Sequence, residues 1–268
     1  MDKQKKEKIA VAIALVLIAL VAIITVVRST EKQKSVKQNF ASDQASRKNA
    51  FKNISTQDLQ QSVSQRKPLA IIDVRSSESY AIEHILDSIS LPSDQSLPFP
   101  VIEKEKQIII VGESARDQIA EAAYRSFADK GYSDVSILTG GFAAWKASGN
   151  QTITYGDATS ITDQVKVSYI STDDLKKALD AKNQFILDVR DESAFAQGHL
   201  KNAVNIPFDK LEERRREISS TKKVIVCGQN ETQEFQAAVK IYDMKLVSPF
   251  VLKGSVEKWK QQGFELVK

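Results

Sequence analysis

Three regimes of hydrophobic and polar patterning follow one another along the chain. Residues 9–27, "IAVAIALVLIALVAIITVV", form a run of nineteen without a charge. At about 1.5 Å per residue, a helix over this run reaches about 28 Å, close to the thickness of a bilayer's hydrocarbon core. Residues 28–50 are rich in Lys, Gln, Ser and Asn and read as a solvated polar stalk. From residue 51 onward, short β-branched and aromatic runs alternate with stretches of helical period. In the C-terminal half, "QFILDVR", "AVNIP", "KKVIVC" and "SPFVL" read as strands. Between them, "STDDLKKALDAK", "FDKLEERRREI" and "ETQEFQAAVKIYD" read as helices. Phe235, Ala238, Val239 and Tyr242 recur at a 3.6-residue period and mark one buried helical face. Near-continuous apolar strands alternating with helices predict an α/β fold whose mostly parallel sheet is covered on both faces.

The pattern occurs twice. "NISTQDL" at Asn53 recurs as "YISTDDL" at Tyr169. "IIDVRSSESYAIEHILDSISLP" from Ile71 recurs as "ILDVRDESAFAQGHLKNAVNIP" from Ile186, an offset of 115. "LTGGFAAW", ending at Trp145, recurs as "LKGSVEKW", ending at Trp259. So long a period describes two copies of one domain rather than a solenoid. The boundaries read as a basic tail over 1–8, the apolar span over 9–27, the stalk over 28–50, a first domain over 51–150, a polar connector over 151–168 and a second domain over 169–268. Each copy opens its first helix with a capping box, Ser55 with Asp58 and Ser171 with Asp174.

Charge changes the picture only at the N-terminus. Residues 1–52 hold 11 of the 38 basic and 4 of the 34 acidic residues, so this segment is net +7 and the remainder net −3. The basic excess therefore belongs to the flanks of the apolar span, and nothing favours nucleic-acid binding. The span ends "ITVVRST", without the small residues a signal peptidase needs, so it is expected to remain as a single-pass anchor in the lipid bilayer. Lysines flank both ends almost equally. Moving the four that precede it outward against the membrane potential costs free energy for each charge, so the N-terminus is expected in the cytoplasm and the domains outside it. One cysteine excludes an intrachain disulfide framework. Two histidines cannot build a histidine-rich metal site, and neither a metal nor a cofactor is expected.

The order "DVR…F…GHL…A.NIP", then a strand ending in Cys, then "L.G…W", resembles the rhodanese (sulfurtransferase) superfamily, and does so in both repeats. The resemblance implies a compact domain with a parallel sheet of about five strands and a thiol-bearing loop between the fourth strand and the next helix. It also implies that the cysteine takes a sulfane sulfur from a small donor, holds it as a persulfide and passes it to a thiol or other nucleophilic acceptor. Cys227 is the one residue that fits that role. At the offset of 115 it falls on Gly112, so the first domain has no nucleophile. It is similar in this to tandem members whose N-terminal copy is inactive.

A persulfide needs its charge held, and a strand-to-helix loop can do so with backbone amides and the positive end of a helix dipole. The candidate loop is Gly228, Gln229, Asn230, Glu231 and Thr232. Gly228 and Asn230 suit positive φ, and Thr232 suits a cap or a hydroxyl donor. The loop is similar to the family's mercaptopyruvate-type C-G-x-G-x-T, with Asn230 for the second glycine. It lacks the basic side chains of the thiosulfate type, and Glu231 adds a like charge that raises a thiolate's pKa. Free cysteine is also among the most buried residue types, so Cys227 as a strand-end core residue of a non-catalytic tethered binding or scaffold module, with a protein partner, stands beside sulfur transfer. A dual-specificity phosphatase loop, C-x5-R, is not matched, because Gln233 stands where the arginine belongs.

Other conspicuous residues read as structure. His84 and His199 occupy equivalent places, and His84 persists where there is no cysteine to activate, so both are expected to make structural hydrogen bonds. Asp73–Arg75 and Asp188–Arg190 read as scaffold in both copies. "LEERRREI" from Leu211 reads as a solvated helix with a Glu212–Arg216 pair. Trp145 and Trp259 read as core anchors.

Overall fold

The computed structural model describes residues 51–93, 98–179 and 183–268. The basic tail, the apolar span and the stalk lie outside the described residues. Among those described, no helix is long and apolar enough to cross a membrane.

The first domain runs β1 (Asn53–Ile54), α1 (Thr56–Ser64), β2 (Leu69–Asp73), α2 (Ser77–Ile82), β3 (Glu83–His84), β4 (Ile89–Ser90), β5 (Gln107–Val111), α3 (Gln118–Asp129), β6 (Val135–Leu138) and α4 (Gly141–Ala147). Its parallel sheet has the order β1-β6-β5-β2-β4. Alternation along the strands loads both faces: Ile71, Ile109 and Val111 pack with Trp145, and Ile72, Ile108 and Ile110 pack with Phe127. Ser55 accepts the Asp58 amide at 3.0 Å and donates its hydroxyl to the Asp58 carboxylate at 2.6 Å, and Ser171 and Asp174 repeat the arrangement.

After β7 (Ile153–Thr154) and α5 (Ile161–Gln164), the second domain repeats the plan with β8 (Ser168–Ile170), α6 (Thr172–Ala178), β9 (Gln184–Asp188), α7 (Glu192–Gln197), β10 (Ala203–Asn205), β11 (Lys223–Cys227), α8 (Glu231–Asp243), β12 (Phe250–Leu252) and α9 (Ser255–Gln261). Its parallel order β8-β12-β11-β9-β10 matches the first sheet strand for strand. Trp145 and Trp259 are fully buried, and each donates its indole N–H to a backbone carbonyl, of Gln151 and Glu265.

Three expectations need correction. The connector is not merely polar. Its β7 pairs antiparallel with β3, and Ile153 is fully buried in the core of the second domain. At Gly156 (φ +89°) it passes so close to α8 that a Cβ there would meet Gln236 Cα and Val239 Cβ at 3.1 Å. Second, "LEERRREI" is not a solvated helix. Two 3-10 turns, Phe208–Lys210 and Arg215–Glu217, carry it along the joint between the domains. There Glu212 accepts from His84 Nε2 at 3.1 Å and Lys240 Nζ at 2.8 Å, and Arg215 grips Asp87 through two 2.7 Å bonds; no Glu212–Arg216 pair forms. Third, the buried face of α8 comprises Phe235, Ala238 and Val239 together with Glu234, Ala237 and Ile241, while Tyr242 is exposed. The helix lies against both the sheet and the connector, so burial wraps further round it than one stripe.

Candidate functional site

Strand β11 is central in its sheet, flanked by β9 and β12, and Cys227 is its last residue, opposite Asp188 of β9. The carboxyl ends of parallel strands are where open α/β sheets place their ligands. Alternation decides where the thiol points. Val224 and Val226 face the layer containing α8, so Ile225 and Cys227 face the layer of Leu252, Val256 and Trp259. Cys227 is 0% exposed, and its Sγ–H donates to Leu187 O at 3.5 Å. Burial above all, with the charges of Asp188 and Glu234 adding to it, pushes the thiol well above its usual value; Arg190 opposes this only in part. As folded here, Cys227 is a protonated thiol in the core, not a thiolate at the head of a helix.

The loop that follows is closed by side chains of the helix it feeds. Gly228 N–H donates to Glu234 Oε1 at 2.7 Å, and Gln229 N–H to Gln233 Oε1 at 2.9 Å. Glu231 turns the other way and accepts the Gly254 amide at 3.0 Å, tying the loop to the turn before α9. Neither Gly228 nor Asn230 has positive φ. Asn230 is extended (φ −158°) and is itself the N-cap, accepting Gln233 N–H at 2.9 Å. Thr232 lies within the first turn and does not cap. The short side chain of Asn230 reaches the third helical amide, so the cap falls two residues earlier than Thr232 would place it. Glycine suits 228 through close approach, since a Cβ there would meet Gln233 Oε1 at 2.9 Å and Glu234 Cγ and Val189 Cγ2 at 3.1 Å.

Glu234 is the functional residue that reading the sequence missed. It is fully buried, and its Oε2 has no hydrogen-bond partner. Burial raises its pKa to about 8, with Glu231 and Asp188 adding to the rise and the Gly228 amide and Ser255 hydroxyl opposing it. The signal was a carboxylate in register with Ala238 and Ile241, at i+4 and i+7, on the buried side of α8.

The equivalent loop of the first domain is also closed from within. Glu113 N–H donates to Asp117 Oδ2 at 2.7 Å, and Asp117 caps α3 through its other oxygen, at 2.9 Å from Ile119 N. A Cβ at Gly112 would lie 2.3 Å from Asp117 Oδ2. The expected match of Cys227 with Gly112 needs correction: Val111 lies opposite Asp73 as Cys227 lies opposite Asp188, so Val111 holds the place of the cysteine and Gly112 that of Gly228. The offset is one residue longer over the central strands than over the DVR strands.

Around both loops the scaffold residues are superposable in role. Arg75 binds Asp73 through Nε and Nη2 (2.7 Å for the latter) and the Glu83 carbonyl; Arg190 binds Asp188 (2.6 Å) and the Gly198 carbonyl in the same way. His84 bonds Tyr80 O at 2.8 Å and stacks on Tyr80 at 4.1 Å; His199 bonds Leu200 O at 2.9 Å and stacks on Phe195 at 3.8 Å. Neither histidine is bonded to Cys227.

Two parallel five-stranded α/β domains, each with a closed strand-to-helix loop at the carboxyl end of its central strand and one of them bearing a thiol, define a class of tandem α/β repeats. The sequence model of the rhodanese-like domain matches residues 55–148 and 171–262, more than half the chain, and the protein belongs to that family. Among curated sequences it is similar to the uncharacterized protein YqhL of Bacillus subtilis, 34% identical over 74 residues. That match covers 28% of this chain and 59% of the relative. Among solved structures it is similar to a thiosulfate sulfurtransferase from Pseudomonas aeruginosa (20% identity, TM-score 0.42, 81% of this chain and 43% of that one). It is also similar to the Alr3790 protein from Anabaena (27% identity, TM-score 0.35, 37% of this chain and 81% of that one). The chain thus spans less than two thirds of the length of the YqhL and Pseudomonas proteins.

Proposed function

We propose that this protein is a sulfurtransferase-type rhodanese tethered to a membrane by residues 9–27, with its domains outside the cytoplasm, in which Cys227 carries sulfane sulfur and the first domain is non-catalytic. The observation that carries the reading is the placing of the chain's sole thiol at the carboxyl end of the central strand, before α8, where the first domain has Val111. In the transfer, the Cys227 thiol loses its proton to solvent and its thiolate attacks the donor's transferable sulfur, the outer sulfur of thiosulfate or the thiol sulfur of mercaptopyruvate. The donor's bond to that sulfur breaks and its electron pair leaves with the remainder, sulfite from thiosulfate or the pyruvate enolate from mercaptopyruvate. The new Sγ–S bond is a persulfide. An acceptor thiolate then takes the outer sulfur and returns the Cys227 thiolate, so no external oxidant or reductant is consumed. Because the thiol is buried and protonated at rest, the loop must open for the first step.

The full-length protein in detergent, incubated with thiosulfate or mercaptopyruvate, should gain one sulfur on Cys227 by intact-mass measurement, and Cys227→Ser should gain none. The second reading, a non-catalytic binding or scaffold module that docks a protein partner, is favoured by the complete burial of Cys227. Equal, donor-independent mass spectra for wild type and Cys227→Ser would establish it and remove the first. For the tether, a membrane-impermeant thiol reagent on intact cells should label a cysteine placed at Ser42 in a Cys227→Ser background; labelling only after lysis would reverse the orientation.

A further inference from the structure

We propose that Glu234 is the specificity-determining residue of the Cys227 loop: its carboxyl holds the Gly228 amide in the place of an anionic sulfur group and so excludes small dianionic donors. The inference rests on the reading of Cys227 as the sulfur carrier.

Three features converge on this carboxyl. Its Oε1 takes the first loop amide at 2.7 Å, the group that would otherwise meet an anion arriving beside Cys227. Its Oε2 is buried beside the Ser255 hydroxyl without an aligned hydrogen bond, an arrangement that costs stability and persists only where the surroundings impose it. The third feature is Ser255 itself, at the start of α9. It is buried against the carboxyl, and its φ of +60° is a strained conformation for a side-chain-bearing residue. The first domain has Gly141 (φ +62°) at this place, where a Cβ would meet Gly112 O at 2.6 Å. The second domain thus keeps a strained serine and an unsatisfied acid side by side behind its only thiol, and the first domain keeps neither.

The charges facing the carboxyl set its response to pH. Asp188 and Glu231 disfavour its ionisation, as burial does, and Arg190 is engaged by Asp188. Cys227 remains a neutral thiol over the same range. With its pKa near 8, Glu234 is an uncharged acid below that value and a buried carboxylate above it. An incoming dianion must displace it in either form, and above the transition it must also approach a negative charge in a site of low polarity.

The test is binding of thiosulfate to the full-length protein in detergent, read from the Gly228 amide resonance and by calorimetry. Glu234→Ala frees the amide and should bind tightest. Glu234→Gln keeps an oxygen on the amide but removes the charge, so at a pH of about 9.5 it should bind about tenfold more tightly than wild type, with the gap closing by about pH 6.5. Equal affinities for wild type and Glu234→Gln at the higher pH, or no binding by any of the three, would overturn the proposal. Should either variant fail to fold, wild type alone decides: its affinity must fall as pH rises through about 8, and a flat profile refutes the role. Sulfur loading followed in parallel separates the two readings. Ordered binding without any loading of Cys227 would sink sulfur transfer and leave the control of anion entry by Glu234 standing.

Discussion

The two strand-to-helix loops occupy equivalent ends of equivalent central strands, β5 and β11, yet they shut themselves by different means. In the first domain the N-cap residue of α3, Asp117, reaches back to the loop amide, and its oxygen fills the space a side chain at Gly112 would need. In the second domain the closing carboxyl comes from Glu234, inside the first turn of α8, and the N-cap is a separate residue, Asn230. Both loops keep glycine at the same register, Gly112 and Gly228, directly after the strand-end residues Val111 and Cys227. The difference teaches that the copies share their strand-to-loop geometry and part in two side chains: the residue at the strand end, and the carboxylate that closes the loop behind it.

The sharpest break in this comparison is chemical. Cys227→Ser should abolish sulfur transfer from every donor, and Gly112→Cys should create none, because its Cβ collides with Asp117 and the place of Cys227 belongs to Val111. A Gly112→Cys protein that becomes loaded with sulfur on residue 112 would show that the strand-end register does not govern the difference. In the scaffold beneath the loops the two copies should instead behave alike. Arg75→Ala and Arg190→Ala each strand a buried aspartate, and each should cost about 3–5 kcal/mol in denaturant unfolding. A loss confined to one of them would show that the copies are not equivalent supports.

The joint between the domains gives the next largest effect. Burial alone would raise the Glu212 carboxyl, but the His84 hydrogen bond and the Lys240 charge outweigh it and hold its pKa at about 2. A depressed folded-state pKa contributes stability that is complete above the ordinary value near 4.5 and is lost as pH falls toward 2. Over that window the wild type should lose up to about 3 kcal/mol from this group, and Glu212→Gln should show a correspondingly flatter acid limb in unfolding followed by tryptophan fluorescence. The smallest expected change is at Ser255. Replacing it by the glycine that the first domain uses removes backbone strain and a buried hydroxyl without an aligned hydrogen bond, at some cost in chain entropy. A net gain of about 1 kcal/mol, or about 2–4 °C in Tm, is expected. A loss of stability would mean that the contact of the hydroxyl with the Glu234 carboxyl outweighs the strain.

Much of the fold was legible because it rests on local spacing. Repetition of "DVR", of the serine caps and of the final tryptophans places two copies of one parallel domain, since each motif works through neighbours within a few residues or through the period of a strand or helix. Asp73–Arg75 and Asp188–Arg190 are two residues apart, and their pairing is nearly implied by the sequence. The paired placing of His84 and His199 likewise revealed structural hydrogen bonds rather than catalysis. "LEERRREI" was misread because its partners are remote. Glu212 answers to His84 and Lys240, and Arg215 to Asp87, across the domain joint, and no periodicity within eight residues carries that information.

The sequence by itself determined the family, the duplicated parallel sheet, the single thiol and its absence from the first copy. Tertiary structure alone decided the state of that thiol. Whether Cys227 is a nucleophile at rest depends on which face of β11 it takes, on what fills the space above it and on which oxygen holds the Gly228 amide. Those are contacts between β11, α8 and the turn before α9, and each is set by packing between elements distant in the chain. A buried carboxyl such as Glu234 reads along the sequence as one more polar residue on a helix. Only the closing of the sheet and helices around it removes the water, raises its pKa and brings it to the loop.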